Sequence, residues 1–357
     1  MTAGSLMAAE LAEQPQVLGR LVDRHVADRD QVRAVLPGRR LPGRLAGTVL
    51  LARGSSDNVA VYGRYLIELA SRRPAGLAAP SVHTRYEADV DYSGYLAVAL
   101  SQSGATPEVV ETAARMRRAG AVVVGITNEA ASPLTGVCDL TLLTGAGPER
   151  AVPATKTVTA QMLAIAAIAA AYDPDLVTVA DLEALPDEAS ALLADSADLG
   201  VDGAPGSGPA GVVAARWANA RRLVVTGRGL AYAAALETAL KIKESARVHA
   251  EGLSSADLLH GPIAALDSRL PVLVVSGGER FAADEAALAA RLTAEGVPYA
   301  VCGSAPGADL PLPSGVSEVT APILATIRGQ QLALASALLR GLDPDAPAGL
   351  SKVTATH

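Results

Sequence analysis

Leu100-Ser101-Gln102-Ser103-Gly104-Ala105-Thr106-Pro107-Glu108 follows the apolar run Tyr95–Leu100 and decides the reading of this chain. The run has the length and composition of a buried strand. Thr106 suits a helix N-cap, Pro107 the first helical position and Glu108 the first turn. Two hydroxyls and a glycine stand immediately before that cap. Such a strand–loop–helix passage offers the Ser101 and Ser103 hydroxyls, backbone N–H groups and a helix dipole to one anion. The phosphate of a small metabolite fits this description, and no Lys or Arg is required in the loop. The same residues would also serve as an ordinary turn and cap.

Further along the chain, short β-branched runs alternate with long Ala/Leu-rich helical patterns. Strands are expected at Thr48–Ala52, Tyr95–Leu100, Ala121–Ile126, Arg222–Thr226, Val272–Val275 and Tyr299–Val301. Apolar runs separated by helices imply a parallel sheet with helices on both faces. Arg53-Gly54 and Arg228-Gly229 each close a strand and open an Ala-rich helix, 175 residues apart. Ser101 and Ser276, and the runs at Val122 and Val297, repeat that offset. One constant spacing at three strand ends predicts a duplicated α/β unit. The Gly/Pro-rich segment Gly200–Gly211 is its expected joint. Before the first strand, Leu11, Val17, Leu18, Leu21 and Val22 recur at helical spacing, and Pro37-Gly38 ends that run.

Composition narrows the function. The 357 residues are 50% apolar and 19% charged, enough for two cores and too apolar for a disordered chain. A net charge of −7 argues against nucleic-acid binding through bulk charge. The 3% aromatic content leaves no stacking platform. Cys138 and Cys302 cannot build a disulfide framework or a metal site of known spacing. The longest apolar stretch, Met162–Tyr172, is too short to span a bilayer, and the N-terminus has no basic signal region. A soluble cytoplasmic α/β protein is expected, without membrane or nucleic-acid partners.

Three features in the rear half carry possible chemistry. Lys241 and Glu244, three apart in the helical pattern Ala233–Val248, share a face otherwise filled by Ala and Leu. A carboxylate there is expected to be partly desolvated and suited to proton transfer, unless the pair simply lies on a solvated face. His260-Gly261-Pro262 closes a short helix, Ser254–Leu259, which Ser254 and Asp257 open in capping-box fashion. A histidine at a helix C-terminus favours its protonated form and suits a proton shuttle, although a plain structural C-terminal histidine reads the same way. Lys352, beside small residues near the chain end, would ordinarily be a solvated terminus. His25, His83, His249 and His357 show no ligand spacing, so no catalytic metal is expected, nor any cofactor.

Taken together, these residues resemble the double-SIS (sugar isomerase) family. Ser101-Gln102-Ser103-Gly104 with Thr106 looks like its phosphosugar signature. Gly54-Ser55-Ser56, Glu149–Lys156, Leu240–Glu244, His249-Ala250-Glu251, His260-Gly261-Pro262 and Leu350–Thr354 follow in the order of the isomerase half of glutamine–fructose-6-phosphate amidotransferase. The resemblance implies two tandem SIS domains, each a parallel sheet flanked by helices in a flavodoxin-like three-layer sandwich. It places the domains at 45–197 and 212–343, with a helical segment at 1–44, a linker at 198–211 and a tail at 344–357 over the active site. It also implies a phosphate site of Ser56, Ser101, Gln102, Ser103 and Thr106, with the Val152 backbone nearby. Glu244 would be the base moving a proton between sugar C1 and C2, Lys241 a lysine near the sugar hydroxyls, and Lys352 the tail lysine over the sugar. His260 would open the sugar ring, supplied across a homodimer interface.

Ala154 replaces a ligand-contacting serine of that family, and Ala256–Leu259 replaces a more polar run. No glutaminase region with an N-terminal cysteine precedes the SIS pair in this sequence, so chemistry with free ammonia is expected. The leading expectation is a glucosamine-6-phosphate deaminase. A fructosamine-6-phosphate deglycase and a non-catalytic sugar-phosphate regulator are the alternatives.

Overall fold

The central strands form where β-branched runs are bounded by glycine and helix-start signals. In the computed structural model, which describes residues 2–36, 45–194, 199–201 and 204–352, they assemble into two separate five-stranded parallel sheets. The first contains β1 (Gly47–Leu51), β2 (Ala75–Leu77), β3 (Tyr95–Leu100), β4 (Val122–Thr127) and β5 (Leu140–Leu143). A two-residue ladder, β6 (Gly200–Val201) with β7 (Ala204–Pro205), separates it from the second sheet. That sheet contains β8 (Arg222–Gly227), β9 (His249–Ser254), β10 (Val272–Val275), β11 (Tyr299–Gly303) and β12 (Leu310–Pro311). The strand orders are β2-β1-β3-β4-β5 and β9-β8-β10-β11-β12. These are one permutation, 2-1-3-4-5, the flavodoxin-like doubly wound order. The fold is the two-sheet α/β architecture expected from the sequence.

All six strands read from the sequence are present. Within the two five-stranded sheets the strands missed are β2, β5, β9 and β12, the sheet edges; the short β6–β7 ladder was missed as well. An edge strand is buried less and pairs on one side only, so it needs no continuous apolar run. The β9 sequence, His-Ala-Glu-Gly-Leu-Ser, shows this plainly.

Two helices, α1 (Ser5–Ala12) and α2 (Gln14–Val35), open the chain, and the five apolar residues that predicted them are buried. Pro37 and Gly38, read as their end, lie outside the described residues. The first sheet is flanked by α3 (Ser55–Ser71), α4 (Pro80–Thr84), α5 (Pro107–Arg118) and α6 (Lys156–Tyr172). Then come α7 (Val179–Ala194), α8 (Pro209–Arg216), α9 (Ala231–Ala246), α10 (Ser255–Leu259), α11 (Ala282–Ala294) and α12 (Ala321–Leu339). Part of the expected joint, Asp202-Gly203, lies outside the described residues. Arg247, in the left-handed region at φ 52°, ends α9 before Val248.

The chain forms two compact units that do not follow the sequence in two simple halves. One holds Gln16–Pro148 and Lys156–Glu183, including the first sheet. Its core packs Ala97, Ala99 and Val123 against Val109, Ala113 and Met116 of α5. The other joins Met1–Pro15 and Glu149–Thr155 to Ala184–Lys352, including the second sheet. There, α9 meets α12 so closely that a Cβ on Gly329 would lie 2.0 Å from Thr238 Oγ1. Among the described residues, no helix is long and apolar enough to cross a membrane. No group of three or more His, Cys, Asp or Glu side chains among them is placed to hold a metal ion.

Candidate active site

In a 2-1-3-4-5 sheet the helices after strands one and three leave on opposite faces, which opens a crevice beyond their carboxyl ends. In the first sheet these ends are Arg53-Gly54-Ser55-Ser56 and Ser101–Thr106, on the paired strands β1 and β3. Arg53 of the first loop bonds Glu108 Oε2 through Nε at 2.9 Å and Nη2 at 2.8 Å, tying the two loops together. Ser56 lies in the first turn of α3 and is buried. Thr106 takes the N-cap position of α5 with Pro107 next, as its type suggests. Its hydroxyl makes no cap bond, however, and lies 3.1 Å from Ser101 Oγ instead. Ser103 Oγ accepts from Ala105 N–H at 3.3 Å. The two loops therefore carry the hydroxyls of Ser56, Ser101, Ser103 and Thr106 at an uncapped helix N-terminus, a geometry suited to an anion.

The shape of the second loop is fixed from behind. Gly104 has φ +59°, and a Cβ there would lie 2.1 Å from Ser132 Oγ. The Gln102 carbonyl accepts from Asn128 N–H at 3.0 Å and from Thr127 Oγ1 at 3.2 Å. Asn128 in turn holds the segment after β5. Its Oδ1 accepts from Thr144 Oγ1 at 2.9 Å and Ala146 N–H at 2.8 Å, while Nδ2 donates to Gly147 O at 3.0 Å.

In the unit of the second sheet, α9 presents Glu237, Lys241 and Glu244 on one face. Lys241 Nζ lies 3.5 Å from Glu237 Oε1 and donates to Glu244 Oε2. Lys241 and Glu237 are 1% and 2% exposed and Glu244 is 23% exposed, so this is not the solvated pair that was the alternative reading. Burial works to lower the Lys241 pKa, but the carboxylates of Glu237 and Glu244 outweigh it and hold the ammonium above its usual value. The ladder is a buried, charged support ending in one reachable carboxylate.

Segment 149–155 belongs to the same unit. Lys352 Nζ donates to Glu149 Oε2 at 2.8 Å and to Ala151 O at 2.7 Å. The other Glu149 oxygen accepts from Thr155 N–H at 2.9 Å. Val152 N–H donates to Asp345 O at 3.0 Å, so that amide is engaged by the tail. Asp345 itself accepts from Leu6 and Met7 N–H at 2.9 and 2.8 Å. Glu10 of α1 accepts from Arg150 N–H and, at 3.3 Å, from Ala151 N–H. Burial pushes the Glu10 carboxyl up, helped by Glu149 and opposed by these N–H donors and Lys352. His260 is exposed at the C-cap of α10, where Ser254 Oγ accepts from Asp257 N–H at 3.4 Å as the capping pattern predicts.

Sequence reasoning missed Glu10, Glu149 and Glu237 as members of these clusters. For Glu237 a signal existed, since it lies four residues before Lys241 on the same helical face. Glu10 and Glu149 act through contacts 140 and 203 residues away in sequence, which no local pattern reveals.

The model of the SIS domain family matches residues 48–171 and 217–307. The chain belongs to the SIS domain family. It is 32% identical over 372 residues to a glutamine--fructose-6-phosphate aminotransferase [isomerizing] of Mycobacterium leprae (strain TN). That match covers 97% of this chain and 57% of the relative, so the chain spans little more than half the length of that protein. Among solved SIS structures, a Silicibacter pomeroyi DSS-3 chain, provisionally assigned as a phosphosugar isomerase, aligns with a TM-score of 0.82 at 33% identity. The alignment covers 95% of this chain and 99% of that one. The glucosamine-6-phosphate deaminase of Thermotoga maritima shares the fold, with a TM-score of 0.78 at 21% identity over 99% of this chain and 100% of that one.

Proposed function

We propose that this SIS protein is an aldose–ketose isomerase acting on an aminosugar phosphate, a deaminase converting glucosamine 6-phosphate and water to fructose 6-phosphate and ammonia. The observation that carries the reading is the Glu237–Lys241–Glu244 ladder, a buried charged support whose last carboxylate remains accessible to a substrate. The hydroxyls of Ser56, Ser101, Ser103 and Thr106 take the phosphate, with the Gln102 backbone shaping their loop. His260 assists opening of the pyranose ring. Glu244 then removes the C2 proton and returns it to C1 through an enolamine, while Lys241 aims the carboxylate and Lys352 covers the sugar. The resulting C2 imine is hydrolysed to the ketone and ammonia. Proton transfer by a positioned group contributes on the order of 10²–10⁴-fold. Nothing in this scheme requires a cofactor.

The test supplies glucosamine 6-phosphate and follows ammonia and fructose 6-phosphate together. Glu244→Gln is expected to lose that 10²–10⁴-fold in kcat with little change in KM. Full activity in the variant removes Glu244 from the mechanism. A wild type inert on glucosamine 6-phosphate but able to release amino acids from fructosamine 6-phosphates would establish the deglycase reading, for which Ala154 leaves room.

A further inference from the structure

The two sheets share one strand order, yet their equivalent loops are filled differently. The loop after β10, Ser276-Gly277-Gly278, corresponds by topology to the Ser101 loop after β3, and Arg228-Gly229 after β8 corresponds to Arg53-Gly54. In the second sheet this crevice contains the protein's own side chains. Glu285, in the first turn of α11, accepts from Ser276 Oγ at 2.8 Å through one oxygen and from Gly277 N–H at 2.7 Å through the other. Ser276 Oγ also accepts from Gly278 N–H at 3.2 Å. The ring of Phe281, the sole phenylalanine of the chain, lies against both loops. A Cβ on Gly229 would stand 2.9 Å from its carbons, and one on Gly277 would stand 2.5 Å away. Arg228 stacks over that ring at 5.7 Å and pairs with Asp284, so it is not turned to an incoming anion.

We infer that Glu285 and Phe281 are built-in occupants of the second crevice, the carboxylate taking the donors that an external phosphate would need. Sugar-phosphate binding is thereby confined to the loops of the first sheet. The inference deepens the proposed function, because it rests on the Ser101 loop being the phosphate site. A cavity of about 630 Å³ remains beside the filled loop, lined by Ser276, Gly278, Glu279, Arg280, Ser304 and Glu318 among others. Arg280, the one cationic residue among the described residues of its wall, bonds Glu318 at 3.2 Å. Glu279 and Glu285 add negative charge with no counterpart to greet a phosphate. The donors of an anion site and the charge of an anion are both present here, joined within one chain.

Calorimetric titration of the full-length protein with inorganic phosphate and with fructose 6-phosphate tests this. The wild type is expected to bind one equivalent of fructose 6-phosphate, and S101A/S103A to bind none. Adding E285A to S101A/S103A is expected to raise affinity for inorganic phosphate at least about tenfold above the residual binding of that parent, since the Ser276 and Gly277 donors are freed for an anion. E285Q keeps the side-chain shape without the charge. It is expected to show a smaller gain, and it serves should E285A fail to fold. No gain in a folded E285A or E285Q protein overturns the inference. So does wild-type phosphate binding that survives S101A/S103A and is lost on adding S276A. Binding that survives both sets of substitutions instead removes the Ser101 loop as the phosphate site, and a second equivalent gained by E285A in the wild-type background then decides the role of Glu285 alone.

Discussion

The ammonium of Lys352 is anchored on Glu149, 2.8 Å from Oε2, although the two residues lie 203 positions apart. Glu149 has a fully buried side chain, while Lys352 remains 25% exposed. The tail lysine is thus ordered by a carboxylate that has little alternative solvation. A hydrogen bond to a charged group contributes about 1.5–3 kcal/mol, and the exposure of Lys352 argues for the lower end. A double-mutant cycle of Lys352→Met and Glu149→Gln, read by urea unfolding, is expected to give a coupling energy of about 1–2 kcal/mol. A coupling near zero would show the contact to be incidental.

Glu10 holds the backbone of residues 150–151, which places the other acceptor of Lys352. Glu10→Ala leaves the part-buried Arg150 N–H and the buried Ala151 N–H without that acceptor and is expected to cost about 1–3 kcal/mol. Glu10→Gln retains an acceptor oxygen and is expected to recover most of the loss. The raised carboxyl also sets a sign. Above the ordinary value of 4.5 the native state binds the extra proton, so stability falls as pH rises from 4.5 through the raised native value. Glu10→Gln should remove that component from a pH series of thermal unfolding.

His25 predicts the opposite slope. It is buried in α2 with no hydrogen-bond partner for either ring nitrogen among the described residues, and burial, aided by Arg24, lowers its pKa from 6.5 to about 4. Between these values the unfolded chain binds the proton and the native state does not. Stability is therefore full above pH 6.5 and declines as the pH falls toward 4, by about 3 kcal/mol for a shift of this size. His25→Phe is expected to flatten that limb of the acid-unfolding curve, and an unchanged limb would assign it to other groups.

Gly104 and Gly54 separate backbone strain from crowding in the two loops proposed to hold the phosphate. Both have positive φ, but a Cβ on Gly54 meets nothing within 4 Å, whereas on Gly104 it strikes Ser132 and Thr127. Gly54→Ala should cost on the order of 1 kcal/mol from strain alone. Gly104→Ala should cost more and raise KM for the sugar phosphate, because its loop must shift. Equal effects on Tm and KM would mean that the Ser132 contact is readily relieved.

What the sequence disclosed follows from where the stabilising contacts lie. Central strands such as Tyr95–Leu100 and Val272–Val275 are buried on both faces and announce themselves as apolar runs. Edge strands such as His249–Ser254 take their definition from one neighbour and stay hidden. Thr106 was legible as a cap position because that depends on local residue type. Its turn toward Ser101, away from capping, depends on a loop closed by distant residues. The Lys241–Glu244 pair could be read from helical spacing, but its burial depends on how α9 packs. The contacts of Glu10 and Glu149 were invisible, although Glu149 stands in a family-like stretch, because their partners are brought to them only by the folded chain.

Segment 149–155 has a consequence for any attempt to divide the gene. It is flanked on both sides by chain of the first-sheet unit, yet it is grouped with the second-sheet unit. A break between Glu183 and Ala184 would hand Glu149, Ala151 and Glu10 to one fragment and Lys352 to the other. Neither product would be a self-sufficient module, and shuffling such halves among homologues would require re-matching these seven residues to a foreign tail.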